Sequence, residues 1–163
     1  MIIGPCGAGK STVSHQLAAT LGLPLLHMDQ LNWQPGWVDG GNDRLRDLLA
    51  VEVARERWLI EGTYGSTLPM RVARADTIVY LDYPLPLCLW RLIKRIVGSH
   101  GRTRPNMAEN CPERFDAAFL LYVIGWNRGP RNRLEQAIKD HEDKLIRFKN
   151  PRGLAQWMAT VKS

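Results

Sequence analysis

Apolar residues along the chain alternate between short continuous runs and longer segments with helical spacing. Five runs of three to six mostly apolar residues predict buried strands, at 1–3, 23–28, 58–60, 77–81 and 144–148. Between these runs, apolar residues recur every three or four positions, as at Val13, Leu17 and Leu21, which predicts amphipathic helices. Short apolar strands that alternate with helices are typical of a parallel sheet covered on both faces. The pattern therefore predicts an α/β domain.

Two segments break this pattern. Residues 30–41 form a polar stretch rich in Trp and Gly, and residues 98–109 lose all periodicity and become rich in Gly, Arg, Pro and Asn. We expect both to be loops, the second of them mobile. Beyond it, Asn110 and Glu113 have the spacing of an N-cap and a capping box, which predicts that a helix starts there.

Length and composition limit the class of protein. A chain of 163 residues fits one domain, so we expect a single domain over 1–163. The longest uncharged apolar stretch, 117–126, is about half of a bilayer span, and the N-terminus lacks the regions of a signal peptide. We expect a soluble, cytoplasmic protein. The three cysteines lack metal-ligand spacing and argue against a disulfide framework or a zinc site.

The most specific motif lies close to the N-terminus. Residues 4–12 read Gly-Pro-Cys-Gly-Ala-Gly-Lys-Ser-Thr, the G-x-x-x-x-G-K-[ST] form of a P-loop between a strand and a helix. Its glycines let backbone N–H groups turn toward a phosphate, Lys10 can reach the β and γ oxygens, and Ser11 can ligate Mg²⁺. The strand and helix around it argue against an ordinary glycine-rich turn. We expect the nucleotide to contact Gly7, Ala8, Gly9, Lys10, Ser11 and Thr12.

Two carboxylates follow predicted strands. Ligands of open α/β sheets bind at the carboxyl ends of the strands, where Asp29 and Glu61 fall. Glu61 has the strand-then-acid form that orients Mg²⁺ in P-loop proteins, or it caps a neighbouring helix. Asp29 either accepts the proton of an acceptor hydroxyl or positions the acceptor, or it is an Asx residue at a loop start. We expect His27 to be a packed residue or one that supports a neighbouring site residue, rather than a base.

Charge is unevenly distributed along the chain. The net charge is +6, and the segment 91–133 holds nine Lys or Arg side chains against three acids. Such a block attracts a polyphosphate ligand or a nucleic-acid backbone. Arg102, Arg104 and Arg114 suit a lid that closes over phosphates, or they form solvated salt bridges. Trp33 and Trp37 either stack on an acceptor ring or cover a core edge.

Other classes of P-loop protein are disfavoured. The chain has no N-K-x-D motif for guanine and no D-x-x-G switch motif. It is also too short for the additional helical domain of ring-forming ATPases. A GTPase or a motor is therefore not expected.

The motifs together resemble the adenylate-kinase-like group of nucleoside monophosphate kinases. More closely, nearly the whole chain resembles the bacterial DNA topology modulation (FlaR-related) proteins, which are adenylate-kinase-related kinases. The resemblance is carried by the P-loop and by five further blocks, at 27–29, 33–37, 60–64, 81–84 and 101–105.

This resemblance implies a three-layer P-loop fold with a five-stranded parallel sheet in the order 2-3-1-4-5, an ATP donor and Mg²⁺. It implies an acceptor-side segment at about 30–57 and a lid segment at about 98–116. It places Arg95 against the nucleotide; a second arginine expected four positions later is Ser99 here, with Arg102 as its replacement. It implies acceptor contacts from Asp29, Trp33, Trp37, Glu61, Tyr64 and Arg71.

The chain departs from the adenylate kinase pattern at two places. Glu61 is followed by Gly-Thr-Tyr, where adenylate kinases have Asp followed by Gly-Phe-Pro-Arg, so AMP does not follow as the acceptor. The first strand is unusually short, and we expect that residues precede Met1 or that the start is misassigned.

Three functions compete at this point. The leading hypothesis is an ATP-dependent kinase with Mg²⁺ that phosphorylates a small molecule, a nucleotide or nucleoside among the options. In this hypothesis Lys10, Asp29, Arg102, Arg104 and Arg114 serve catalysis, and Ser11 and Glu61 hold the metal. The alternatives are a nucleotide-responsive DNA-binding protein, which is not favoured because no DNA-binding module is evident, and a P-loop protein without catalysis. The oligomeric state is left open.

Overall fold

The fold is a parallel sheet between two layers of helices, in a computed structural model that describes residues 1–161. The sheet contains β1 (Ile2–Ile3), β2 (Leu25–His27), β5 (Leu59–Glu61), β6 (Ile78–Leu81) and β7 (Leu145–Phe148). All of their pairings are parallel, in the order β2-β5-β1-β6-β7. The predicted order 2-3-1-4-5 is therefore confirmed.

Eight α-helices accompany the strands within the described residues. In chain order they are α1 (Lys10–Leu21), α2 (Met28–Asn32), α3 (Asn42–Val53), α4 (Leu68–Arg74), α5 (Leu85–Ser99), α6 (Ala117–Ile124), α7 (Pro130–Ile138) and α8 (Pro151–Val161). Three short 3₁₀ turns lie at Gly65–Thr67, Trp126–Arg128 and Glu142–Lys144.

The sheet is buried on both faces because side chains alternate along each strand. Ile2 and Val79 pack with α1 and α8, whereas Ile3, Ile78 and Tyr80 pack with α4 and α7. Two smaller apolar clusters extend this core. One joins α2 and α3 to β5, and the other joins α5 to α6.

Two segments differ from the sequence-based expectations. The predicted loop at 30–41 contains the end of α2 and a hairpin of β3 (Trp33–Gln34) and β4 (Val38–Asp39). The predicted helix start at Asn110 is wrong: Asn110 has a positive φ of 53°, and α6 begins at Ala117. The actual N-cap is Asp116, whose carboxylate accepts a hydrogen bond from the backbone N–H of Phe119.

The lid segment is folded against the acceptor-side segment. The Trp37 indole donates to the Pro112 carbonyl over 3.0 Å, and the Gln30 side-chain amide donates to the Pro105 carbonyl over 2.7 Å. None of the helices within residues 1–161 is long and apolar enough to cross a membrane. The single-domain prediction extends to residue 163, and its last two residues lie outside the described part of the chain.

Candidate functional site

A cavity of about 1000 Å³ lies at the carboxyl ends of the central strands. Parallel α/β sheets bind ligands at this edge, where the loops after the strands meet. The P-loop forms one wall, and the start of α2, the β3–β4 hairpin and the residues after β5 form the other. Residues of α5 and of the lid segment complete the lining.

The P-loop has the backbone conformation that its glycines permit. Gly4, Gly7 and Gly9 all have positive φ, and α1 begins directly after Gly9. A Cβ on Gly7 would lie 2.1 Å from the Cys88 carbonyl oxygen, so only glycine fits there. Lys10 curls back so that its Nζ donates to the carbonyls of Gly4 and Pro5 over 3.0 and 3.1 Å.

Glu61 is the centre of a buried polar cluster beside the P-loop. Its Oε1 accepts a hydrogen bond of 2.9 Å from the Ser11 hydroxyl and lies 2.7 Å from His27 Nδ1. Burial by itself raises the pKa of Glu61, but the hydrogen bond with His27 and the charge of Lys10 outweigh burial and leave this pKa below its ordinary value. Glu61 is therefore a carboxylate at neutral pH.

The Ser11–Glu61 pair suits a hard divalent cation. A hydroxyl and a carboxylate oxygen meet at the mouth of the P-loop, and Mg²⁺ uses one or two such ligands together with waters and phosphate oxygens. Nowhere in residues 1–161 do three or more His, Cys, Asp or Glu side chains group as a protein-only metal site. The donor set thus fits a metal that arrives with phosphates.

Asp29 lies in the first turn of α2, two residues beyond the end of β2. Its Oδ1 accepts a hydrogen bond of 2.7 Å from the Tyr64 hydroxyl. Burial, and then the charge of Asp29, raise the pKa of Tyr64, so this phenol stays protonated and donates to the carboxylate. Both side chains line the cavity.

Arg71 does not line the cavity, which corrects the expectation of direct acceptor contact. It is fully buried, and its guanidinium donates to the backbone carbonyls of Gly62, Thr63 and Tyr64. Burial lowers its pKa to about 9, so it remains a cation at neutral pH. Arg71 thus fixes the backbone segment that carries Tyr64, whose own φ is 30°.

Trp33 and Trp37 both line the cavity and contact each other edge to face, with ring centroids 5.3 Å apart and an interplanar angle of 73°. Trp37 has a φ of 64°, a region that bulky side chains rarely adopt. Its ring lies 5.3 Å from the guanidinium carbon of Arg114. The hairpin therefore presents two indoles next to Asp29 and Tyr64 in the cavity lining.

The arginines of α5 and of the lid segment divide into two groups. Arg95 Nη2 donates to Glu113 Oε1 over 3.1 Å, and Arg104 Nε lies 2.7 Å from Glu113 Oε2. Glu113 itself is only 5% exposed. Arg114 lines the cavity and forms an exposed pair with Asp116, whereas Arg102 is exposed and lies outside the lining. The expectation that Arg102 approaches the phosphate site is thus not met in this arrangement.

Three residues of the site were not expected from the sequence. Asn106 donates from its side-chain amide to the Ser11 hydroxyl over 3.0 Å. Arg91, four positions before Arg95, donates to the Ala8 carbonyl of the P-loop over 3.3 Å. Glu113 holds Arg95 and Arg104 rather than capping a helix. For Arg91, the sequence signal was its spacing of four positions from Arg95, which places both arginines on one face of α5.

Sequence comparison identifies no relative. No protein family pattern matches the chain, and no curated protein sequence matches it. The narrower resemblance to DNA topology modulation proteins therefore stays a prediction.

Structural comparison finds the same fold in a small kinase. The shikimate kinase of Acinetobacter baumannii, solved in complex with shikimate, superimposes with a TM-score of 0.65 at 20% identity, over 98% of this chain and 89% of that chain. The deoxyadenosine kinase of M. mycoides, solved with bound dCTP, gives a TM-score of 0.47 at 12% identity, over 98% and 97%. The chain thus has an α/β P-loop fold like that of shikimate kinase, with a five-stranded parallel sheet.

Proposed function

We propose that this protein transfers the γ-phosphate of ATP to a small-molecule acceptor. The observation that carries this proposal is one cavity lined by the P-loop, by the Ser11–Glu61 pair and by Asp29. Phosphoryl transfer requires a phosphate cradle, an acidic metal site, a group that orients the nucleophile and cations around the transferred group. All four kinds of group are present in the lining.

On the nucleotide side, the amides of residues 7–12 and Lys10 would bind the β- and γ-phosphates. Lys10 would exchange its present bonds to the Gly4 and Pro5 carbonyls for phosphate oxygens. Arg91 and Arg95 extend from α5 into the same wall and would add positive charge. Such fixed cations stabilise charge on the transferred group without reorganisation.

On the metal side, Ser11 and Glu61 would hold Mg²⁺, and His27 would keep the Glu61 carboxylate oriented. The bound ion would neutralise charge on the phosphates. Because the pKa of Glu61 lies below its ordinary value, the carboxylate needs no change of protonation to serve as a ligand.

On the acceptor side, Asp29 would orient the nucleophile, and Trp33, Trp37 and Tyr64 would enclose the acceptor. Arg104 and Arg114 of the lid segment would approach the transferred phosphate. This basic block therefore supports a ligand within the cavity better than an extended nucleic-acid backbone, because Arg91, Arg95, Arg104 and Arg114 all line the cavity.

The test is ADP formation from ATP and Mg²⁺ in the presence of a panel of nucleosides, nucleotides and sugars. Lys10→Ala should lower the rate by a factor on the order of 100 or more, because a charge-stabilising donor is lost. Lys149→Ala, at an exposed lysine, is the matched control and should keep the rate. Equal rates for Lys10→Ala and the wild type would overturn the proposal.

A further inference from the structure

We infer that the acceptor is an uncharged molecule with a hydroxyl group and a planar ring, a nucleoside rather than a nucleoside monophosphate or a carboxylic acid. The inference rests on the proposed function of the cavity and concerns only the identity of the acceptor. Three observations carry it: the internal partners of the arginines, the contacts of Asp29 and the placement of two indoles.

The arginines near the acceptor end already have partners within the protein. The Arg71 guanidinium is buried against three backbone carbonyls, and Arg104 is held by Glu113 and by the Asn106 side-chain oxygen. Arg44 donates to the Leu31 carbonyl over 2.9 Å. A free guanidinium fork is the side chain best suited to bind a phosphate or a carboxylate through two parallel hydrogen bonds. Arg104 and Arg114 line the cavity and serve the transferred phosphate in the proposed reaction, so neither is left for a second anionic group on the acceptor.

Asp29, unlike these arginines, has hydrogen-bonding capacity that the protein does not use. Its one hydrogen-bond donor among the described side chains is Tyr64, so the remaining lone pairs of a partly exposed carboxylate face the cavity. A second carboxylate, Asp39, lines the same end of the cavity. Neither carboxylate has an ion-pair partner among residues 1–161, so the two repel an anionic acceptor and attract a hydroxyl donor.

With a hydroxyl acceptor, the bonds and protons of the reaction balance. The acceptor oxygen bonds to the γ-phosphorus while the bond from this phosphorus to the bridging oxygen breaks, and ADP leaves. The hydroxyl proton passes to Asp29 and from there to solvent. A monophosphate acceptor is already anionic at the attacking oxygen and would need no such group.

The two indoles account for the planar ring. Trp37 is held by two contacts from the lid segment, its indole to Pro112 and its backbone N–H to Cys111 Sγ over 3.4 Å. Gly36 and Trp37 both have a positive φ in the turn of the hairpin, 80° and 64°, and the second of these positions carries a bulky indole. Strained backbone of this kind persists where the surrounding structure imposes it, and it clusters at ligand sites. Trp33 completes an aromatic corner onto which a flat base can stack.

The experiment measures kcat/KM by ADP release for purine and pyrimidine nucleosides and deoxynucleosides, for their 5′-monophosphates, for shikimate and for hexoses. We expect the best nucleoside to exceed its own monophosphate by at least about tenfold. Asp29→Asn should lower kcat for that nucleoside by a factor on the order of 100 or more, with the Kd for ATP changed less than about twofold. Asp43→Asn, at an exposed aspartate of α3, is the matched control.

Each outcome decides one of the two proposals. A monophosphate, shikimate or hexose that is turned over faster than every nucleoside overturns the inference. So does a protein that binds ATP and Mg²⁺ in calorimetry but turns over no nucleoside. A folded protein that binds no ATP overturns the proposed function itself, which separates the two failures.

Discussion

The side-chain amide of Asn106 donates a hydrogen bond of 3.0 Å to the hydroxyl of Ser11, a residue 95 positions earlier in the chain. This contact joins the lid segment to the P-loop at the position where a metal ligand is expected. The same hydroxyl donates to Glu61. Ser11 therefore links the nucleotide side, the metal side and the lid segment in one chain of polar contacts.

Replacement of Asn106 by Ala should loosen the lid segment. The loss of two partly buried hydrogen bonds, to the Ser11 hydroxyl and from Arg104, is expected to lower the free energy of unfolding by about 2 kcal/mol and to speed trypsin cleavage after Arg102. Limited proteolysis followed by mass spectrometry checks this. Asn42→Ala is the matched control, because Asn42 also bonds a serine hydroxyl, that of Ser66, but at an exposed site. Equal cleavage rates in the two variants would contradict the prediction.

Replacement of Glu113 by Gln should destabilise the protein strongly. The change leaves Arg95 and Arg104 close together without a carboxylate, and removal of one partner from a buried pair costs on the order of 3 kcal/mol. Chemical denaturation measures the loss. Added ATP should restore more stability to this variant than to the wild type, because phosphate oxygens can replace the carboxylate. The exposed Glu56→Gln variant should behave like the wild type.

The Glu61 carboxylate should make stability depend on pH in the acid range. The pKa of Glu61 in the folded protein lies below its ordinary value of 4.5, so the folded state binds fewer protons than the unfolded state. The contribution of Glu61 is therefore fully present above about pH 4.5 and is lost as the pH falls through the folded pKa. Urea denaturation from pH 7 to pH 3 should show a flatter profile for Glu61→Gln. Glu109→Gln, at an exposed position, should keep the wild-type slope.

Replacement of Arg71 by Leu should unfold the segment after β5. Three backbone carbonyls lose their donor in a fully buried site, and we expect a loss of about 3 kcal/mol or more. Arg74→Leu, on the same helix, loses one bond to the Val53 carbonyl and should cost about 1 kcal/mol. A difference of less than about 1 kcal/mol between the two variants would show that Arg71 is not a structural anchor.

The fold was predictable because its signals are local. The apolar runs predict the strands and the P-loop predicts the ligand edge, whereas the strand order followed from the resemblance to adenylate-kinase-like proteins, and the observed sheet agrees with it. Glu61 and Ser11 were also predictable, since a strand-end acid and the P-loop serine have positions set by the topology, and they meet at 2.9 Å.

The lid segment was not predictable in the same way. Asn110 and Glu113 have helix-start spacing, but Glu113 instead forms two ion pairs, with Arg95 18 positions before it and with Arg104 in the same segment. The β3–β4 hairpin has two residues per strand, too few for any alternation to be visible. Arginine is a residue type that often binds ligands, but Arg71 has a purely internal role. Only its burial in the structure reveals this role.

The absence of space between Gly7 and the Cys88 carbonyl restricts how this protein can open. Because a single extra carbon would collide at 2.1 Å, the phosphate cradle and the first turns of α5 behave as one block, reinforced by Arg91 on Ala8. Gly101, by contrast, has open surroundings and a φ of 74°. We therefore expect any movement that admits substrate to occur in the lid segment beyond Ser99 and to leave the phosphate cradle unchanged.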